Sequence, residues 1–233
     1  MTLRLNECKS LHDKIALMKK FSARKKMIYD RIMIMVKTNM YYEDNRDLAH
    51  DIQEIKVELL GIAMKFLTDS GVFSKNGVDY GSRVLLENFN PENAKTLLDV
   101  GCGYGTLGLT LAKKYDLAVT MVDVNSRALD LCRQNADRNA VSIDEIKISD
   151  IYDTVSGKYD AIISNPPIRA GKSVVHGILE GSFEHLNDAG TLTIVIQKKQ
   201  GAPSAQKKME EVFGNCIVIA KDKGYFILRS YKK

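Results

Sequence analysis

The stretch TLLDVGCGYGTLG, residues 96–108, contains the transition that decides the fold. A short apolar run carries Asp99 near its end, and three glycines follow at alternate positions, Gly101, Gly103 and Gly105. Glycines at such a turn let the backbone bend sharply and approach a ligand closely, and the helix that follows presents free N–H groups at its start. The pattern therefore predicts a buried strand, a tight turn and a helix.

Outward from this stretch, short apolar runs alternate with segments of helical spacing as far as the end of the chain. The later apolar runs are AVTMVDV (118–124), IKIS (146–149), YDAIIS (159–164), TLTIVIQ (191–197), CIVIAK (216–221) and YFILRS (225–230). Several are separated by segments with helical periodicity, for example residues 173–186 and 203–213. Strands separated in this way are typical of βαβ units and of a parallel sheet covered on both faces. The last two runs are joined by a tight Asp-Lys-Gly connection, which favours an antiparallel pair.

The predicted fold is therefore α/β, with a Rossmann-like, doubly wound sheet of seven strands that is mostly parallel and has an antiparallel hairpin at one edge. Upstream, residues 52–68 contain two runs that alternate with period two around Leu60-Gly61. This alternation predicts an N-terminal β-hairpin. In doubly wound sheets ligands bind at the carboxyl ends of the strands, and each motif below lies at such an end.

Composition excludes several classes of protein. Hydrophobic residues make up 45% and charged residues 27% of the chain, as in ordinary globular domains, and no uncharged apolar stretch approaches the length of a membrane span. The four cysteines form no CxxC pair and the four histidines show no ligand spacing, so no metal is expected. We therefore expect a cytoplasmic protein without a membrane anchor.

Charge is distributed unevenly along the chain. Residues 1–39 carry ten basic and three acidic side chains, residues 40–196 carry fifteen and twenty-three, and residues 197–233 carry nine and three. Basic ends around an acidic middle give an anionic partner two places to bind. The alternative is a set of lysine-rich faces exposed to solvent, and charge alone favours that alternative.

Carboxylates follow the next two predicted strands. Asp123 ends a strand about twenty residues after the first glycine, where its carboxylate can accept hydrogen bonds from ribose hydroxyls. Asp150 follows the run IKIS, where it can accept from the exocyclic amine of a purine. This layout indicates a nucleoside-containing cofactor, although Gly103, Gly105 and Gly108 also satisfy the GxGxxG dinucleotide pattern. The alternatives are a plain strand–helix turn for the glycines and a helix cap or solvated acid for Asp150.

The stretch SNPPI, residues 164–168, ends another apolar run. Proline fixes φ and removes a backbone donor, so Asn165-Pro166-Pro167 forms a stiff, extended turn. The Asn165 carboxamide oxygen and the Pro166 carbonyl are then two fixed acceptors, which would orient a planar amino group and direct its lone pair toward an electrophile. The alternative is a strand terminator without a chemical role.

In this order DVGCGYG, Asp123, Asp150 and SNPPI resemble the motifs of class I methyltransferases that depend on S-adenosylmethionine. More narrowly, the chain is similar to the small-domain methyltransferase family, which contains the 16S ribosomal RNA guanine-N2 methyltransferases. The stretches that carry this similarity are GVFSKNGVDYGSRVLL (71–86), IISNPPIRAGK (162–172) and HLNDAGTLTIVIQKKQGAPS (185–204). The resemblance extends from about Met40 to the C-terminus.

The resemblance implies a role for each matched position. The residues implied to contact the cofactor are Asp99, Gly101, Gly103, Gly105, Asp123, Asp150 and Asn165. Asp123 would hold the ribose hydroxyls and Asp150 the adenine amine, while the glycine turn would line the methionine moiety. The implied catalytic residues are Asn165, Pro166 and Pro167, of which the first two would hold the acceptor amine.

On the substrate side, the position after the two prolines is Ile168, where relatives that act on adenine or glutamine often carry an aromatic residue. This departure favours guanine as the acceptor base. Phe73 would lie over the cofactor or the substrate. The residues predicted to contact the substrate or its phosphates are Phe73, Ile168, Arg169, Lys172, Lys198 and Lys199. For the cations, the alternative is ordinary solvated loop side chains.

The predicted function is transfer of a methyl group from S-adenosylmethionine to an exocyclic amine, with guanine-N2 of 16S-type ribosomal RNA as the acceptor and ribosomal RNA or the small ribosomal subunit as the partner. The alternatives are a glutamine-N5 or adenine-N6 methyltransferase and a non-catalytic RNA-binding assembly factor. Residues 40–233 are predicted to form the methyltransferase domain. Residues 1–39 are either a basic RNA-binding extension or sequence upstream of a true translation start at Met40.

Overall fold

The computed structural model describes Tyr42 and residues 48–233. Its strands are β1 (Gln53–Leu59), β2 (Ile62–Thr68), β3 (Thr96–Val100), β4 (Ala118–Asp123), β5 (Glu145–Ile148), β6 (Tyr159–Ser164), β7 (Leu186–Gln197), β8 (Ile217–Asp222) and β9 (Tyr225–Tyr231). Its α-helices are α1 (Tyr80–Asn88), α2 (Thr106–Tyr115), α3 (Ser126–Asn139), α4 (Lys172–Gly181) and α5 (Ala202–Phe213). None of the helices in these ranges has the length and apolar character needed to cross a membrane. The predicted extension, residues 1–39, lies outside the described residues, and its role stays a prediction.

Strands β3 to β9 form a seven-stranded sheet in the order β5-β4-β3-β6-β7-β9-β8. Neighbours from β5 through β7 pair in parallel, whereas β9 pairs antiparallel with both β7 and β8. The predicted mostly parallel sheet with an antiparallel edge hairpin is therefore confirmed. The chain moves outward in one direction from β3 and returns to β6 on the other side, so ligands are expected at the carboxyl ends of these two strands.

Apolar side chains cover both faces of the sheet. Side chains alternate between the faces along a strand, so the consecutive residues Leu97 and Leu98 belong to two different core clusters. Leu97 packs in the cluster that includes Leu109 of α2 and Leu129 of α3. Leu98 packs in the cluster that includes Ile178 of α4. The helices thus lie in two layers, which leaves the strand ends between them as the open edge.

The predicted N-terminal hairpin is confirmed, since β1 and β2 pair antiparallel as a separate two-stranded sheet. Helix α3 binds the other edge of β2 through two asparagines, each of which bonds both backbone groups of one strand residue. Asn135 bonds the N–H and C=O of Leu67 at 2.6 and 3.0 Å, and Asn139 bonds those of Lys65 at 2.9 and 2.7 Å. The spacing matches because four helical residues rise about 6 Å and two strand residues span about 6.6 Å. The two amides therefore pair with the edge as a neighbouring strand would.

Candidate active site

A cavity of about 290 Å³ opens at the carboxyl ends of the parallel strands β3 to β6. The predicted site residues that line it are Phe73, Gly101, Gly103, Asp123, Asp150, Asn165, Pro166 and Pro167. The sheet thus brings the glycine turn, both later carboxylates and the proline turn to one place. This is the position at which a doubly wound sheet binds its ligand.

The glycine turn forms the floor of the cavity. Gly101, Gly103 and Gly105 have φ angles of 74°, 57° and 99°, values that residues with a side chain rarely adopt. A Cβ at Gly105 would lie 2.6 Å from a methyl carbon of Leu109, whereas a Cβ at Gly101 or Gly103 would meet no atom within 4 Å. Gly105 is therefore needed for packing against α2, and the first two glycines leave open space in front of the backbone for a ligand.

Asp123 holds the glycine turn in place from the end of β4. Its Oδ2 accepts a hydrogen bond from the Gly103 N–H at 2.8 Å and its Oδ1 accepts one from the Asn125 N–H at 2.9 Å. Burial raises the pKa of Asp123 above its ordinary value, and these backbone donors offset only part of that effect. A carboxylate oxygen can accept more than one hydrogen bond, so Asp123 can still receive the hydroxyls of a ribose. Asp150 is exposed on the rim of the same cavity.

Asp99 lies behind the wall of the cavity and does not line it. The side chain is fully buried, and its Oδ2 accepts a hydrogen bond from the Gly108 N–H at 2.9 Å, in the first turn of α2. Its Oδ1 has no hydrogen-bond partner among the described residues. Burial, followed by the nearby charge of Asp123, raises the pKa of Asp99 to about 7 against the opposing effect of the Gly108 N–H. Asp99 therefore fixes the start of α2, and direct contact with a cofactor stays a prediction.

Asn165 directly follows β6, and its carboxamide is held from one side. Its Nδ2 donates to Asp79 Oδ2 and to Ser82 Oγ, both at 3.0 Å. Asp79 immediately precedes α1 and also accepts a hydrogen bond from the Ser82 N–H, which makes it the N-cap of that helix. Sequence reasoning missed Asp79 and Ser82, although both lie in the stretch 71–86 that carries the family resemblance. The helix-capping pattern DYGS was the available signal.

The loop that carries Phe73 is tied to the residues that follow β4. Asn125 Nδ2, just after β4, donates to the Gly71 carbonyl at 2.8 Å. The buried Arg127 Nη1 donates to Asp69 Oδ2 at 3.0 Å, at the start of the same loop. These contacts fix both the loop and the end of β4, so Phe73 lines the cavity while 37% of its surface stays exposed.

The remaining predicted substrate residues lie outside the main cavity. Ile168 packs against the core beside α4 and, with Lys172, borders a separate smaller cavity. Arg169, Lys198 and Lys199 are exposed on the turns that follow β6 and β7. Several wall residues were not predicted, among them Tyr42, Ser82, Tyr104, Thr106, Ile151, Ala170, Val174 and Ile178. Most of them are apolar or lie within helices, where a sequence gives no sign that they face a cavity.

The fold is Rossmann-like, and the edge at which such a sheet binds its ligand brings together a glycine turn, two carboxylates and the Asn165 carboxamide. Residues 63–229 match the methyltransferase small domain family, and the chain belongs to that family. The prediction of a methyltransferase dependent on S-adenosylmethionine is confirmed.

Several known proteins are similar to this chain. The uncharacterised protein YbxB of Bacillus subtilis is 46% identical over 82% of this chain and 98% of its own length. The ribosomal RNA small subunit methyltransferase C of Escherichia coli is 33% identical over 73% of this chain and 49% of its own length. A T. thermophilus 16S rRNA N2 methyltransferase, solved with AdoMet and guanosine, shares the fold with a TM-score of 0.71 and 24% identity, over 78% of this chain and 51% of that one. The chain thus spans about half the length of the ribosomal RNA methyltransferases it matches.

Proposed function

We propose that this chain methylates the N2 amine of a guanine in the RNA of the small ribosomal subunit. The orientation of the Asn165 carboxamide carries the proposal. Both N–H groups of Nδ2 are engaged by α1, so the group that Asn165 offers to a ligand in the cavity is the acceptor Oδ1. An acceptor at this place selects a substrate that donates, such as an amine.

Different residues around the cavity hold the cofactor and the acceptor amine. S-adenosylmethionine supplies an electrophilic methyl group when it is bound. Gly101 and Gly103 leave open space in which the cofactor can approach the protein backbone. Asp123 and Asp150 supply acceptors for its ribose and its adenine. Asn165 Oδ1 holds one proton of the acceptor amine and so orients the nitrogen lone pair. Positioning of this kind provides most of the acceleration for such a transfer, so the site needs no strong base.

Two observations support guanine in RNA as the acceptor. The residue after the prolines is Ile168, which packs against the core, so this position provides no aromatic ring. Among the predicted site residues, Phe73 is the one that contributes an aromatic side chain to the cavity. Exposed basic side chains at the same edge of the sheet, Arg169, Lys198 and Lys199, suit an RNA backbone. The names of the relatives add further support, since they describe methylation of small-subunit ribosomal RNA and of guanine-N2.

The proposal is tested by labelled methyl transfer to small ribosomal subunits and to naked 16S rRNA, both from cells that lack the gene, followed by nucleoside analysis. We expect the label in a single N2-methylguanosine. Label in N6-methyladenosine, or in protein at glutamine, would replace the proposed acceptor with one of the two enzymatic alternatives. RNA binding without any transfer would support the non-catalytic assembly factor instead.

The role of Asn165 is tested in the same assay with Asn165→Ala. We expect transfer to fall by at least about 100-fold, because the amine loses its orienting acceptor, while the affinity for S-adenosylmethionine in calorimetry stays close to that of the unchanged chain. Asn93→Ala, which changes an exposed asparagine, is the matched control and should leave both quantities unchanged. Undiminished transfer by Asn165→Ala would exclude this mechanism.

A further inference from the structure

We propose that Asp79 and Ser82 are positioning residues for the transfer, and that they determine which face of the Asn165 carboxamide meets the acceptor amine. The proposal rests on the proposed amine methylation and adds to it the source of the acceptor geometry. Neither residue is needed to touch the reacting atoms. Both act through Asn165.

Both N–H groups of the Asn165 carboxamide have an acceptor at the start of α1. A carboxamide nitrogen has two N–H donors, and the two acceptors within reach are Asp79 Oδ2 and Ser82 Oγ, each 3.0 Å from Nδ2. Since a carboxylate has no proton to donate, Asp79 can only accept from Asn165. The pair of contacts therefore identifies the atom that faces α1 as nitrogen.

A flipped carboxamide is incompatible with this arrangement. If Asn165 turned over, its oxygen would lie 3.0 Å from Asp79 Oδ2, and two acceptors would face each other without a proton between them. The flipped residue would also offer N–H donors to the substrate, and these cannot orient an amine through its protons. Asp79 thus excludes the orientation that would be inactive.

The stretch DYGS, residues 79–82, is built to hold these two acceptors close to β6. Asp79 is fixed because the same Oδ2 caps the Ser82 N–H at 3.1 Å. Between them, a side chain at Gly81 would displace this arrangement, since a Cβ there would lie 2.9 Å from Asp79 Oδ2 and 2.8 Å from a ring carbon of Tyr225. Ser82 is 5% exposed and belongs to the first turn of α1. The helix start is therefore a rigid clamp on one side of the catalytic amide.

Two substitutions of Asp79 separate the clamp from helix capping. Serine caps a helix as well as aspartate does, but its hydroxyl lies one bond closer to the backbone and does not reach Asn165. Asparagine keeps an acceptor oxygen at the position of Oδ2 and so can retain both contacts. We expect kcat of Asp79→Ser to fall about 10- to 100-fold, and kcat of Asp79→Asn to stay within about threefold of the unchanged chain. The KM for S-adenosylmethionine should not change in either variant, because Asp79 does not line the cavity.

Two outcomes of the kinetic experiment would overturn the proposal. If Asp79→Ser keeps the unchanged kcat, the contact with Asn165 has no role in transfer. If Asp79→Asn loses as much activity as Asp79→Ser, the negative charge matters and the hydrogen-bond geometry does not. Thermal unfolding of both variants serves as the control for folding, since all three side chains cap α1.

A measurement without turnover distinguishes this proposal from the proposed function. The side-chain amide protons of Asn165 can be assigned by NMR through their absence from Asn165→Ala. We expect them to exchange slowly with water in the unchanged chain and rapidly in Asp79→Ser, because the latter lacks one acceptor. Fast exchange in the unchanged chain, equal to that of the exposed Asn93, would refute the clamp even if RNA methylation is observed. Slow exchange without any RNA methylation would refute the proposed function alone.

Discussion

Replacing Asp99 with asparagine should remove a loss of stability that the unchanged chain undergoes as the pH rises to neutrality. Asp99 is fully buried, one of its oxygens accepts from the Gly108 N–H, and the other has no partner among the described residues. Its pKa of about 7 in the folded chain compares with an ordinary value of 3.8. The carboxamide of Asp99→Asn would keep an acceptor for the Gly108 N–H and would carry no charge at any pH.

The magnitude follows from linkage between protonation and folding. Between about pH 4 and pH 7 the folded chain keeps the Asp99 proton and the unfolded chain releases it, so the contribution of this group to stability falls as pH rises. The difference between the folded and the ordinary pKa of Asp99 corresponds to roughly 4 kcal/mol of stability, and all of it is lost above pH 7. The amide nitrogen of Asp99→Asn takes the place of Oδ1, which has no hydrogen-bond partner among the described residues, and a buried donor left unpaired costs roughly 1–3 kcal/mol at every pH. The variant should therefore be less stable than the unchanged chain near pH 4 and at least as stable at pH 8.

Urea unfolding followed by far-UV circular dichroism, repeated between pH 4.5 and pH 8.5, measures this difference directly. We expect the free energy of unfolding of Asp99→Asn, relative to the unchanged chain, to rise by about 3 kcal/mol over that range. Asp137→Asn, which neutralises an exposed carboxylate on α3, is the matched control for the loss of one charge. If the two curves for Asp99→Asn and the unchanged chain run parallel, the carboxyl is not protonated in the folded chain and the reasoning is refuted.

Two further substitutions test the cofactor side and the hairpin. Asp123→Ala removes a predicted ribose acceptor and the anchor of Gly103, so calorimetry should show an affinity for S-adenosylmethionine at least about tenfold lower; an unchanged affinity would remove Asp123 from the cofactor site. Asn135→Ala leaves the buried N–H and C=O of Leu67 without partners and should lower the free energy of unfolding by about 2–4 kcal/mol. Gln134→Ala, on the exposed side of the same helix, is the control, and an equally small loss in both would contradict the strand-like role of Asn135.

The positions of the residues predicted to hold the cofactor could be predicted because these residues are local features of the sequence. Gly101 and Gly103 mark a turn, and Asp123 ends a strand, so hydrophobic patterning and turn chemistry are enough to place them. The parallel sheet then brings successive strand ends to one edge without further information. Asp99 shows the limit of this reasoning, since alternation along β3 directs its side chain into the core and away from the cavity.

Other features depend on packing and could not be predicted. The periodicity of residues 173–186 predicts one helix, yet α4 ends at Gly181 and β7 begins at Leu186. The ring of Tyr152 lies against Gly181, where a Cβ would be 2.5 Å from it, and stacks on His185 at 4.7 Å between ring centroids. A residue from a distant loop thus packs against the end of this helix. Periodicity within the segment contains no information about that contact.

The acceptor half of the site is assembled from residues that are far apart in the sequence. Asn165 directly follows β6, whereas Asp79 and Ser82 lie at the start of a helix that precedes the whole sheet in sequence. Asp79 and Ser82 accept hydrogen bonds from the carboxamide that carries the acceptor oxygen, and among the described residues no hydrogen bond joins either of them to the glycine turn or to Asp123. Substitutions within residues 79–82 can therefore alter the orientation of the acceptor amine while cofactor binding is preserved. For this reason acceptor geometry and cofactor affinity should separate experimentally, and a variant of Asp79 that weakens both would show that the two halves are coupled through the cavity wall.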